Sequence, residues 1–385
     1  MLTRQEREAM ETRILAPYAM KSGNTKGRKY EENENEYRTV YQRDRDRIIH
    51  STAFRRLEYK TQVFVNHEAD YYRTRLTHSI EVAQIARTMA RALKLNEDLT
   101  EAIALAHDIG HTPFGHSGEE ALHNIMVDKG GFEHNRQGLR VVDYLENNYF
   151  TFPGLNLTYE VREGIIKHKT SYDNPQKSDG EFSDDENPTL EARIVNLADE
   201  IAYNNHDLDD GLKGGFITIE QLYENVNMFK EYWDYLKNKY GNNSDELLLK
   251  KLIRNLIGKQ ITDVIEQTDK NIEKMGIGSF DDVRKQSGIV SFSSEMEEKH
   301  KELKEFLYKN LYKHYKVVKM SNRAKRFVKS LFNAYLEDIN QLPDQFKSRI
   351  KKDGIERAIC DYIAGMTDRY AQDEYARLFL PYTKM

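Results

Sequence analysis

Apolar residues along this chain recur at intervals of three and four. Ile80, Ala83, Ile85, Ala86, Met89, Ala90 and Leu93 form one such run. Ile194, Leu197, Ala198 and Ile201 form a second, and Leu303, Phe306, Leu307 and Leu311 a third. This spacing follows the 3.6-residue turn and gathers the apolar side chains on one face of a helix. Alternating Val/Ile/Thr runs are scarce, and only seven prolines interrupt 385 residues. The pattern predicts an all-α protein.

Punctuation marks where some helices stop and start. Gly110 is expected to end the helix carrying AIALAHDIG, with Pro113 blocking its continuation. Ser117 followed by Glu120 reads as a capping box for the next helix. Lys169 to Pro188 is polar and broken by Gly and Pro, which predicts a mobile surface loop ahead of a helix beginning near Thr189. The GLKGGF segment near residue 212 divides a first region, 1–212, from a lysine-rich helical region, 213–385.

Composition narrows the chemistry. No stretch approaches 18 consecutive apolar residues, so a membrane span is not expected. The charged N-terminus lacks the apolar segment of a secretory signal. Cys360 is the only cysteine, which excludes an intrachain disulfide and a thiolate zinc site and suits a reducing cytoplasm. Any metal must rest on His, Asp or Glu. The net charge of −5 is unevenly spread: ten Lys or Arg lie between Lys301 and Lys329, against Glu302 and Glu305. Such a stretch suits either a solvated helix face or a surface for a nucleotide or single-stranded DNA.

Seven of the twelve histidines fall between His67 and His134. Among them, His107-Asp108 closes an otherwise apolar helical run, where an imidazole and a carboxylate are costly to bury unless coordinated or hydrogen-bonded. Asp108 alone would equally suit capping of the following turn. His78 stands at the start of one amphipathic helix, His107-Asp108 at the end of the next, and Asp199 within a later one. Two imidazoles and two carboxylates make a mixed N/O ligand set for Mn²⁺, Fe²⁺, Zn²⁺ or, less tightly, Mg²⁺. Asp199, Tyr203 and Asp207, four residues apart, share one helix face.

The order H…HD…D resembles the HD superfamily of phosphohydrolases. Longer segments narrow the likeness: FRRLEYKTQVF from Phe54, RTRLTHSIE from Arg73, HDIGHTPFGHSGEEAL from His107, FEHNRQGLRVV from Phe132 and DYIAGMTDRYA from Asp361. Together they resemble the bacterial deoxyguanosine triphosphate triphosphohydrolases over nearly the whole chain. The resemblance implies an HD-domain helical fold with an additional helical C-terminal region packed on it. It also implies cleavage of a dNTP, dGTP above all, to deoxynucleoside and inorganic triphosphate. His78, His107, Asp108 and Asp199 then hold one divalent metal, with Mn²⁺ or Mg²⁺ foremost. His116 and Glu119 match the family's catalytic pair, with Glu119 orienting His116, and His134 matches a histidine near the phosphates. Arg75 matches the α-phosphate contact, Gln62 and Asp207 the readers of the sugar 3′-hydroxyl, and Tyr203 the wall beside C2′. Outside that pattern, His111 and His123 are expected to be structural or outer-shell, while Lys167, His168, Arg369 and Tyr370 are weaker candidates for substrate contact. The resemblance further implies a homo-oligomer, tetrameric or hexameric, often activated by a nucleotide. Two alternatives stand beside this reading: an HD phosphohydrolase of a nucleoside monophosphate or cyclic nucleotide, and a non-catalytic nucleotide- or nucleic-acid-binding regulator.

Overall fold

The computed structural model describes residues 1–62, 73–169, 180–183 and 185–381. The fold is all-α, as the apolar spacing predicts; among the described residues extended pairing is limited to isolated bridges such as Thr61–Thr74. No described helix is long and apolar enough to cross a membrane. Part of the Lys169–Pro188 segment, residues 170–179 and 184, lies outside the described residues, as do Phe64 and His67.

One core is built from α1 (Val40–Ile49), α2 (Arg75–Ala92), α3 (Glu97–Ala106) and a later, 24-residue helix. Helix α2 buries Val82, Ala83, Ile85, Ala86, Met89 and Ala90, the face its spacing marks out. It packs against both α3 and the later helix, so His78 and the HD dipeptide approach each other. Two helices follow α3, namely α4 (His116–Met126) and α5 (His134–Arg140). Then come α6 (Tyr159–Ile166) and the 24-residue helix, α7 (Leu190–Lys213). Helix α7 starts where expected, with the Thr189 side chain accepting from the Ala192 N–H. The same core continues beyond residue 212, through Phe216 to Leu311.

A second core forms around α4. Its inner face, Ala121, Leu122 and Met126, packs with residues of α8 (Tyr315–Glu337), α9 (Ile355–Ala364) and α10 (Asp368–Phe379). The C-terminal helices therefore support the helix that carries His116 and Glu119.

Two expected helix ends are corrected. Helix α3 ends at Ala106, with His107 as its C-cap, so Gly110 lies in the turn beyond. Gly110 is required there for close approach: a Cβ would stand 1.9 Å from the His134 carbonyl oxygen and 2.2 Å from the Gly138 nitrogen. Any side chain would push α5, and His134 with it, off the HD turn. Helix α4 begins at His116, not after Ser117, because Gly115 adopts a φ of 56° as its N-cap. Ser117 and Glu120 face α8 instead, bonding Ser321 at 2.9 Å and pairing with Lys325 at 2.6 Å.

Candidate active site

Two helices and the turn that follows α3 deliver the metal-ligand candidates. His78 lies in the first turn of α2, and its Nε2 is 2.8 Å from Oδ1 of Asp199 in α7. The other nitrogen, Nδ1, lies 3.4 Å from His206, which in turn reaches Glu81 at 3.0 Å. Nδ1 of His107 is 2.6 Å from the Ala104 carbonyl. A carbonyl only accepts, so Nδ1 carries the hydrogen and Nε2 keeps its lone pair. That Nε2 is buried without a hydrogen-bond partner and lies 3.7 Å from Asp199 Oδ1. Ligand atoms of His78, His107 and Asp199 all fall within 4.8 Å of one another. Asp108 stands just outside this tight group, with Oδ1 3.5 Å from His107 Nε2 and Oδ2 buried without a partner.

The unpartnered Nε2 and Oδ2 beside a deprotonated Asp199 are what a divalent cation would satisfy. Burial alone would raise the pKa of Asp199, but His107, His168 and His78 outweigh it and hold the carboxyl well below its usual range. Burial is likewise outweighed at Asp108 by Arg75, His107 and His111. His107 is pushed down, chiefly by burial, and stays a neutral donor.

Arg75 is buried at 1% exposure, which removes the reading of a surface arginine. Its Nη1 donates to Asp108 Oδ1 at 2.8 Å and its Nε to the Thr61 carbonyl at 3.0 Å. Its Nη2 is left without a partner at the cavity, as is Oε1 of Gln62.

A second cluster adjoins the first. Nδ1 of His111 is 3.0 Å from Asp108 Oδ1, and its ring stacks on His134 with centroids 4.1 Å apart. Burial first, then Arg75 and His134, keeps His111 neutral. Glu119 departs from expectation: its Oε1 accepts from the His134 N–H at 3.0 Å and lies 3.1 Å from His134 Nδ1. It therefore orients His134, although its charge still feels His116. His116, solvent-exposed at the start of α4, faces the same cavity.

Gln62, Arg75, His107, Asp108 and His116 thus line one cavity, with His134, Asp199 and Tyr203. His78 and Glu119 stand directly behind it. Asp207 does not reach it: the carboxylate is buried, held by the Tyr312 hydroxyl, and pushed well above its usual pKa by burial. His111 lines the cavity from behind Asp108, an outer-shell position, and Glu200, which no motif marks, lines it as well. His168 lines the cavity too, with Nε2 3.3 Å from Asp199 Oδ2. Lys167 instead bonds Glu163 and the Ser183 and Glu186 carbonyls. His123 caps the Phe132 carbonyl. Arg369 is exposed, and the Tyr370 hydroxyl pairs with Tyr362.

The chain matches the HD domain over residues 75–204 and the phosphohydrolase-associated domain over 290–377. It is 52% identical, over the full length of both chains, to the deoxyguanosinetriphosphate triphosphohydrolase-like protein of Geobacter sulfurreducens. The protein of the same name from Thiobacillus denitrificans is 53% identical, over 95% of this chain and 97% of its own length. The chain belongs to the HD-domain, dGTPase-like phosphohydrolases. This family membership makes it a hydrolase, and HD domains bind divalent metals. The HD match contains every metal-ligand candidate, and the associated domain spans the helices beneath α4.

Proposed function

We propose that this chain hydrolyses deoxynucleoside triphosphates, dGTP foremost, to deoxynucleoside and inorganic triphosphate. One observation carries the reading. Four buried polar atoms without protein partners converge on a single cavity: His107 Nε2, Asp108 Oδ2, Arg75 Nη2 and Gln62 Oε1. The first two suit a metal, the third a phosphate oxygen and the fourth a sugar hydroxyl. The full-length relatives named for dGTP triphosphohydrolysis support the choice of substrate.

In this proposal His78, His107, Asp108 and Asp199 hold the cation, Mn²⁺ or Mg²⁺ foremost. When bound it supplies Lewis-acid polarisation at Pα and a more acidic water. Arg75 binds an α-phosphate oxygen through its remaining N–H groups, its guanidinium fixed by Asp108 and Thr61. Water attacks Pα, the bond from Pα to the 5′ oxygen breaks, and the departing oxygen takes a proton. His116 handles that proton. Glu119 fixes His134, which with neutral His111 faces the triphosphate. Tyr203 occupies the space beside C2′. Gln62 reads the sugar hydroxyl, while Asp207, held by the Tyr312 hydroxyl, stands outside the cavity.

The protein is proposed to act in the cytoplasm as a homo-oligomer. Lys316, Lys319, Arg323 and Arg326 are exposed at helical spacing on α8, and none lines the cavity. That surface supports contact with a polyanion such as a regulatory nucleotide or single-stranded DNA. The test of function is chromatography of products from each dNTP, alone and mixed, with Mn²⁺. Triphosphate supports the proposal; orthophosphate or no turnover refutes it.

A further inference from the structure

The cavity's first wall is Gln62, which ends a short extended segment, Lys60-Thr61-Gln62. Its carbonyls seat Arg75: Lys60 O accepts from the Arg75 backbone N–H at 3.1 Å, and Thr61 O accepts from Nε at 3.0 Å. Its second wall is His111 and His116, joined by the turn from Thr112 to Gly115. That turn is strained. Phe114 has a φ of 63°, unfavourable for a bulky residue, and Gly115 follows at 56°. A Cβ on Gly115 would approach Arg75 Nη2 to 3.1 Å, so the two walls touch. Strain of this kind persists only where surrounding contacts enforce it.

The enforcing contacts come from far along the chain. Asp368 begins α10 and is 4% exposed. Its Oδ2 accepts from the Thr61 N–H at 3.0 Å, and its Oδ1 from the Phe114 N–H at 2.9 Å. One carboxylate thus ties both walls. Beside it, the buried Lys60 Nζ donates to the His111 carbonyl at 2.5 Å and to the Ala364 carbonyl at 3.0 Å. Both anchors, Ala364 and Asp368, belong to the stretch matched by the phosphohydrolase-associated domain.

We propose that Asp368, seconded by Lys60, is a positioning residue for the hydrolytic site: it holds the Thr61 and Phe114 amides so that Arg75, Gln62 and His116 face one another. The inference rests on the functional reading above, since it assigns those three residues to substrate. A carboxylate fits the task better than an amide. Its two oxygens only accept, whereas an asparagine would turn an NH₂ toward one of the two N–H donors.

The experiment compares the wild-type holoenzyme with Asp368→Asn and Asp368→Ala. Hydrogen exchange is followed in peptides covering residues 59–62, 112–115 and 358–364, together with bound metal, kcat and KM. The clamp predicts faster exchange at 59–62 and 112–115, unchanged protection at 358–364 and unchanged metal content. It also predicts a kcat lowered by roughly 10- to 100-fold with KM little altered, as expected when reacting groups are misaligned. Asp368→Asn, which keeps one acceptor, should lie between wild type and Asp368→Ala. Wild-type exchange in both wall peptides, or loss of protection at 358–364, would overturn the proposal. If the wild-type protein releases no triphosphate, the substrate reading fails, while the exchange data still decide the clamp.

Discussion

His78 Nε2 lies 2.8 Å from Oδ1 of Asp199, joining the first turn of α2 to the middle of α7 across 121 residues of sequence. With His107 Nε2 close by, this contact defines where a cation fits. Replacing Asp199 or His107 by Ala should therefore abolish metal retention and turnover together. Metal analysis of the purified variants, beside a turnover assay with added Mn²⁺, checks this. Full activity of metal-replete Asp199→Ala would contradict the assignment.

His116 is set apart from that group, at the exposed start of α4. Its replacement by Ala should leave metal content unchanged and lower kcat by roughly 10²-fold or more, the range for lost acid–base help. Steady-state kinetics distinguish this from a binding role, in which KM alone would rise.

Tyr203 lies one turn after Asp199 on α7 and lines the cavity. The wild-type protein should hydrolyse dGTP well and GTP poorly, and Tyr203→Ala should narrow the difference by opening space beside C2′. Competition between the two nucleotides measures the ratio. Equal rates with the wild-type chain would refute this account of sugar choice.

Glu191 governs stability in α7 away from the chemistry. Its Oε1 accepts from the Met20 and Asn96 N–H groups, each at 3.0 Å, while Oε2 is buried without a partner. Burial pushes its pKa up from 4.5 to about 7. Between those values the folded chain holds a proton that the unfolded chain has released, so raising the pH favours unfolding. The stabilisation is complete below pH 4.5 and is lost as pH rises to about 7, up to an order of 3 kcal/mol. Glu191→Gln should remove this component, so its Tm advantage over wild type should grow from pH 5 to pH 8. Parallel Tm curves for the two proteins would show that Glu191 is not the source.

Much of the site is legible in the sequence because its parts clash with their local pattern. A His-Asp pair ending an apolar helix, a histidine opening another, and an Asp within a third have few cheap fates other than coordination. What was illegible depends on contacts or backbone states without a local signature. Asp368 meets Thr61 across 307 residues, and nothing near DRYA announces that contact. Ser117 and Glu120 have the spacing of a capping box, but the positive φ at Gly115 starts the helix earlier and frees both for α8. Asp207 shares the face of Asp199 and Tyr203 as the spacing requires. Helical period could not reveal that Tyr312, from the C-terminal region, takes its carboxylate.

The most direct test of the central claim is to hydrolyse dGTP in ¹⁸O-labelled water with Mn²⁺ and locate the label by mass spectrometry. Attack at Pα with loss of the 5′ oxygen predicts one ¹⁸O in inorganic triphosphate and none in deoxyguanosine. Label in orthophosphate or pyrophosphate, with dGDP or dGMP as the partner product, would contradict it.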